Sequence, residues 1–159
     1  MPFATATQPE IRFEDPVRTL LDQKGHAVWS ITPDATVYQA IEMMSEKQVG
    51  ALVVLSGGRL AGVVSERDYA RKVILRGRNS HYTQVREIMS SPVLYVTLSQ
   101  SLDDCLQLMT ARRIRHLPVL EGDSVVGVLS IGDLVNWIVR SQQHTIDQLR
   151  NYIGGTYPG

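Results

Sequence analysis

Cysteine is almost absent from this chain: Cys105 is the only one in 159 residues. An internal disulfide is impossible, and a reducing compartment, the cytoplasm, is the simplest expectation. No charge is in excess, since 16 basic residues balance 16 acidic ones. A dedicated nucleic-acid binder carries a basic surplus, so that class is disfavoured. Long apolar runs are missing too. The longest, such as ALVVL at 51–55, are strand-sized and far short of a membrane span. The first fifteen residues, MPFATATQPEIRFED, lack the apolar centre of a secretory signal. Catalytic constellations are lacking as well. The four histidines are scattered without metal-ligand spacing, and no G-x-x-x-x-G-K-[ST] loop occurs. Cys105 falls on an apolar helix stripe and reads as core, not as a nucleophile. No enzyme and no catalytic cofactor are expected.

What the chain does have is 43% hydrophobic residues, enough for a real core, and an internal repeat. Residues 28–74 slide onto 93–139 without a gap, and 11 of the 47 positions are identical. Unrelated segments of average composition share roughly three. Upstream, VRTLL (17–21) resembles VREIM (85–89) at an offset of 68 instead of 65, the three-residue difference falling in the connectors DQKGHA and SSP. The expected organisation is an N-terminal extension to residue 16, a first unit at 17–75, a linker at 76–84, a second unit at 85–140 and a C-terminal helix and tail at 141–159.

Each unit has the same order of elements. VWSIT and VLYVT are short extended segments. Thr36 and Ser101 follow as helix N-caps, with Gln39 and Asp104 in capping-box position. Val37, Ala40, Ile41 and Met44, and then Leu102, Cys105, Leu106 and Met109, form one apolar helix stripe per copy. GALVVL and HLPVL are strands, turned by SGGR and EGDS into LAGVVS and VVGVLS. ERDYARKVILR and GDLVNWIVRS are closing helices, and SQQHTIDQLRNYIGG (141–155) reads as one further helix. The fold class is α/β (α+β), a tandem pair of β-α-β-β-α units. A unit of about 50 residues is marginal alone, so two should pack around a pseudo-two-fold axis.

The repeated GVVSERD (62–68) and GVLSIGD (127–133) carry the functional question. Ser65 with Asp68, and Ser130 with Asp133, match the S-x-x-D helix cap, with the negative charge at the positive end of the helix dipole. The same geometry allows a second use. A carboxylate at a strand–helix turn can accept both hydroxyls of a ribose, and helix N–H groups beside it suit a phosphate. Thr32 and Thr97, at the ends of the first strands, are candidates for added hydroxyl contacts. In RRIRH, Arg115 and His116 stand where the second strand begins and are expected to point into a cleft, with Arg112 and Arg113 on the surface. Arg67 is a candidate for phosphate, whereas Lys72 and Arg76 read as partners of the helix C-terminal dipole.

Over about 17–140 the chain resembles the tandem CBS-domain pair, or Bateman module, of the small stand-alone bacterial type. The resemblance rests on RIRHLPVLEGDSVVGVLSIGD, GALVVLSGGRLAGVVSERD and their order. It implies an adenine-nucleotide-binding regulatory module, an energy or redox sensor. The ligand would be AMP, ADP, ATP or NAD(H), with S-adenosylmethionine ranked behind them, and the signal would go to an unidentified partner protein. The resemblance gives Asp68 and Asp133 the ribose, Ser65 and Ser130 the family's hydroxyl, and Thr32 and Thr97 the strand-end position. Ala51, Leu52, His116, Leu117 and Pro118 fall on the segment flanking the base, and Arg67, Arg115 and His116 near phosphate. The first copy reads GALVV where the second reads RHLPV, so phosphate is expected to bind better in the second copy's cleft. A homodimer is expected through apolar helix faces in DYARKVIL and DLVNWIV, with Trp137 as an anchor. The alternative is a structural dimerisation module in which the serine–aspartate pairs are caps only.

Overall fold

The computed structural model describes residues 14–91 and 93–154, apart from the side chains of residues 144, 145 and 152–154. The stretches at 1–13 and 155–159, parts of the expected extension and tail, lie outside the described residues. Helix α1 (Val17–Lys24) precedes strand β1 (Ser30–Ile31), helix α2 (Val37–Lys47), strands β2 (Ala51–Ser56) and β3 (Arg59–Ser65), and helix α3 (Glu66–Tyr69). The second copy supplies β4 (Val96–Thr97), α4 (Leu102–Arg112), β5 (His116–Glu121), β6 (Ser124–Ser130) and α5 (Ile131–Gly154). Each copy is a three-stranded sheet, ordered β1-β2-β3 or β4-β5-β6, with its first pair parallel and its second antiparallel. The registers repeat: Ile31 opposes Val54 as Val96 opposes Val119, and both hairpins slip at the next residue of the middle strand.

The caps form as the residue types dictate. Thr36 Oγ1 accepts from the Gln39 amide while the Gln39 side chain accepts from the Thr36 amide, a complete capping box. Ser101 Oγ accepts from Asp104 N at 3.1 Å. Both helices end on a left-handed residue, Gln48 (φ 54°) and Arg113 (φ 52°).

The segments leading into each copy pack crosswise. Val17, Leu20 and Leu21 of α1 are buried in the core of the second sheet with Leu102, Met109, Leu117 and Leu129. Val85, which opens a single 3₁₀ turn (Val85–Glu87), and Ile88, which follows it, are buried in the core of the first, with Val37, Met44, Leu52 and Val64. The main-chain contacts match. Val17 N donates to Gln100 O and Leu102 N to Asp15 O, while Val85 N donates to Ala35 O and Val37 N to Thr83 O. The two copies are thus interlocked, which offsets the small core each builds alone.

The repeated glycines serve this interlock. A Cβ on Gly127 would stand 2.7 Å from Leu21 Cδ1, and one on Gly62 would stand 2.7 Å from Met89 Sδ and 2.9 Å from Ser90 O. Leu21 and Met89 are themselves counterparts at the offset of 68. Each glycine makes room on its strand for the crossing segment.

Three expectations change. The helix expected separately over 141–155 is the continuation of α5, which runs unbroken for 24 residues. The closing helix of the first copy widens after Tyr69 into a π-helical stretch (Ala70–Ile74), where Leu75 N reaches Ala70 O and Arg78 N reaches Val73 O. Trp137 packs against its own core, with its Nε1 buried and unpartnered among the described residues, and so is not an exposed anchor. The exposed apolar side chains include Ile74 and Leu75 after α3, and Val135, Val139, Ile146 and Leu149 on α5.

Candidate functional site

Ser65 and Asp68 sit where β3 turns into α3. Asp68 N donates to Ser65 Oγ at 3.2 Å, and Asp68 Oδ2 accepts from Ser65 N at 2.9 Å and from Ser65 Oγ at 3.0 Å. The cap is therefore real. It uses one carboxylate oxygen; the other, Oδ1, lies 3.1 Å from Lys72 Nζ, one helical turn on. Lys72 also donates to Ile88 O at 2.8 Å, tying the helix to the crossing segment.

A cavity of about 500 Å³ opens in front of this turn. Its first wall carries Ser65, Glu66, Arg67, Asp68, Arg71 and Lys72; its floor is Gly50 and Val63, with Ser90, Val93 and Leu94 from the segment that crosses between the copies. The opposite wall is Arg113, Ile114, Arg115 and His116 from the second copy. Five cations thus face two carboxylates around one concavity whose remaining lining is largely aliphatic. Such a surface accepts an anionic group at one end and a flat apolar group at the other.

His116 is only partly exposed at the start of β5, and its ring lies 3.5 Å from where a Cβ on Gly50 would stand. Burial holds its pKa below the usual 6.5, helped by the positive charges of Lys24 and Arg115 and opposed by Asp133. The imidazole is therefore neutral at pH 7. Cys105 is fully buried on α4, and desolvation pushes its thiol up to about 11, which removes it as a nucleophile. Among the described residues no group of three or more His, Cys, Asp or Glu is placed to hold a metal ion, and no helix is long and apolar enough to cross a membrane.

The site residues expected from sequence separate into three sets. Ser65, Arg67, Asp68, Arg115 and His116 line the cavity together. Ser130 and Asp133 form the matching turn at the start of α5: Asp133 Oδ2 accepts from Ser130 N at 2.8 Å, and Asp133 N donates to Ser130 Oγ at 3.1 Å. The third set does not line the cavity. Thr32 is hydrogen-bonded to Asp34, whose carboxyl it holds below its usual range. Thr97 donates its amide to Gln100 Oε1 at 2.9 Å. Ala51, Leu52, Leu117 and Pro118 are buried on their strands.

Arg115 and His116, expected to serve the second copy's cleft, line the cavity in front of Asp68 of the first; His116 also lies opposite Ser130 on the neighbouring strand and feels the Asp133 charge, so it stands between the two turns. Arg113 is exposed, as expected, and stands at the edge of the cavity, whereas Lys72, expected at the helix dipole, lines the cavity beside Asp68. Arg71, four residues after Arg67 and so on the face shared with the helix start, lines the cavity as well, although it was not among the expected site residues. The signal for Arg71 and Lys72 was their place three and four residues after Asp68, on the same helix face.

Comparison with known proteins agrees with this architecture. The sequence model of the CBS domain matches residues 25–75 and 85–140. The CBS domain-containing protein CBSX3, mitochondrial, of Arabidopsis thaliana is 41% identical over 138 residues, a stretch covering 84% of this chain and 66% of that protein. A solved protein with CBS domains from Burkholderia ambifaria MC40-6 is 48% identical and superposes with a TM-score of 0.77 over 80% of this chain and 96% of its own. The CBS domain pair of protein MJ0100, crystallised with 5′-methylthioadenosine and S-adenosyl-L-methionine, shares the fold at 19% identity, with a TM-score of 0.68 over 76% of this chain and 93% of its own.

Proposed function

The chain belongs to the CBS-domain family, and we propose that it is a cytoplasmic regulatory module that binds an adenine nucleotide in the cavity at Asp68 and signals its occupancy to a partner protein. The observation that carries this reading is the joint lining of one cavity of about 500 Å³ by a ribose-competent carboxylate from one copy and by Arg113 and Arg115 from the other. A volume in that range suits a nucleotide. The Asp68 side chain is 15% exposed, so its remaining hydrogen-bonding capacity is available to a diol while water is largely kept away. The five cations favour phosphate-bearing ligands (AMP, ADP, ATP or NAD(H)) and disfavour S-adenosylmethionine, whose sulfonium is positive. A ligand spanning the two walls ties the two copies together, and that is a differential contact able to bias a partner.

Homodimerisation belongs to the same reading. The exposed Ile74, Leu75, Val135 and Val139 stand on the two corresponding closing helices, and a second chain would bury them across a C₂ axis.

The hydrogen bonds of the cap favour a second reading, in which Ser65–Asp68 is structural only and the module binds no nucleotide. Calorimetry with AMP and 2′-deoxy-AMP against wild type and Asp68→Ala separates the two. A carboxylate bound to the diol contributes roughly 1.5–3 kcal/mol, so the substitution weakens AMP by about 10- to 100-fold and erases the preference over the deoxy ligand. If the cap is all there is, ribose discrimination is the same in both proteins and the loss shows only as about 1 kcal/mol of stability.

A further inference from the structure

The pseudo-two-fold supplies two carboxylates in equivalent backbone positions, Asp68 and Asp133, but it does not supply equivalent surroundings. The cations lining the cavity at Asp68 are Arg67, Arg71, Lys72, Arg113 and Arg115, of which Lys72 pairs with its Oδ1 at 3.1 Å. The residues at the corresponding places in the other copy are Gly132, Asn136, Trp137, Gln48 and Gly50, none of them charged. In their stead one cation comes from outside the repeat. Lys24, the last residue of α1, sends its ammonium to Asp133 Oδ2 at 2.6 Å and to Val128 O at 2.6 Å.

The second contact explains how the lysine is placed. In the first copy the corresponding carbonyl, Val63 O, accepts from the main-chain amide of Ser90 at 2.9 Å. Against the second sheet lies the connector after α1, three residues longer than its counterpart, and among the described residues it is the Lys24 ammonium, not a backbone amide, that takes that position. His26 Nδ1 lies 3.1 Å from Val126 O, two residues back along β6, so the connector follows the strand and holds Lys24 over the carboxylate. Two short bonds from one ammonium, on a side chain 37% exposed, fix it there.

We propose that Lys24 is a built-in occupant of the second carboxylate, taking the place a ligand would have there, so that each chain has one nucleotide site, at Asp68, and not two. This rests on the reading of Asp68 as a ribose acceptor. The three extra connector residues are then the device that converts a symmetric duplication into a single-site receptor.

The test is the binding stoichiometry. Titrated with ADP and with adenosine, the wild-type protein should bind one ligand per chain. Lys24→Met keeps the aliphatic stem and removes the ammonium, and should admit a second adenosine per chain, with the ADP event at Asp68 unchanged within about twofold. The double variant Lys24→Met/Asp133→Asn should return to one. Two equivalents on the wild type, or one on Lys24→Met, overturn the proposal. Should the wild type bind neither ligand, the reading of Asp68 fails, and the Lys24 contact is decided separately by amine acylation read by mass spectrometry. Lys24 should be acylated at least fivefold more slowly in the wild type than in Asp133→Asn, and equal rates would refute its capture by Asp133.

Discussion

Replacing Gly127 by alanine tests the crosswise packing on which both the core and the cavity depend. The new Cβ would stand 2.7, 3.1 and 3.5 Å from Leu21 Cδ1, Cδ2 and Cγ, and Leu21 is fully buried, so it has no solvent to swing into. One methyl forced into a filled core costs about 1–3 kcal/mol. Truncating Leu21 to alanine costs about 2–5 kcal/mol by opening a cavity. In that background the methyl of Gly127→Ala enters vacated space, and the lower backbone entropy of alanine becomes a small gain of about 0.5–1 kcal/mol. The cycle should therefore show a favourable coupling of about 1–3 kcal/mol. For a chain of this size that is about 2–4 °C of Tm per kcal/mol. Urea unfolding of the four proteins gives the cycle directly from midpoints at constant slope. The partner position is less forgiving. A Cβ on Gly62 meets Ser90 O at 2.9 Å as well as the Met89 side chain, and Ser90 is itself held by its amide bond to Val63 O. Met89→Ala should thus rescue Gly62→Ala only in part. Additive effects of Gly127→Ala and Leu21→Ala would show that α1 does not seat on the second sheet, and the interlocked arrangement would be wrong.

Two further outcomes are expected. Because the folded pKa of His116 lies below 6.5, the unfolded chain takes up the proton first as pH falls through that value; the stability His116 contributes is full above pH 6.5 and is lost below it. His116→Gln should flatten that slope in urea unfolding at pH 7.5 and 5.5, whereas an unchanged slope would refute the burial of the imidazole. A bound polyphosphate favours the protonated ring, so on going from pH 7.5 to 5.5 ADP affinity should change more favourably in the wild type than in the variant, where only the ligand's own terminal phosphate titrates. Ile74→Glu with Val139→Glu, both at positions about half exposed, should leave the fold intact and convert a dimer to a monomer by sedimentation at micromolar concentration, and a dimer that survives both charges would place the interface elsewhere.

The duplication, the order of elements in each copy and the helix caps were all legible, because each rests on local chemistry repeated twice. The crossing was not. VRTLL and VREIM are alike, so either could seat on either sheet, and only the three-dimensional match of Leu21 to Gly127 and of Met89 to Gly62 settles which does. The continuity of α5 was readable and overlooked: from Asp133 to Ile153 no glycine or proline interrupts it. Arg113 is the solvated helix end it read as, but its place beside the cavity was not legible, because the left-handed cap that turns the chain there leaves no mark in composition.

The repeated serine and aspartate show why a motif alone underdetermines a site. Both pairs make the same cap, with the aspartate oxygen 2.9 and 2.8 Å from its serine amide. Backbone geometry is what duplication copies, and the cap is a backbone requirement, so it persists in both copies. Charge around the cap is set by side chains and connectors that diverge freely. Arg67, Arg71 and Lys72 face one carboxylate where Gly132, Asn136 and Trp137 occupy the corresponding positions in the other copy. The feature that distinguishes the second turn lies outside the motif, in a connector three residues longer than its counterpart. An unequal gap between otherwise matching repeats is thus as informative as the identities, because it marks where the pseudo-symmetry, and with it the equivalence of the two sites, is broken.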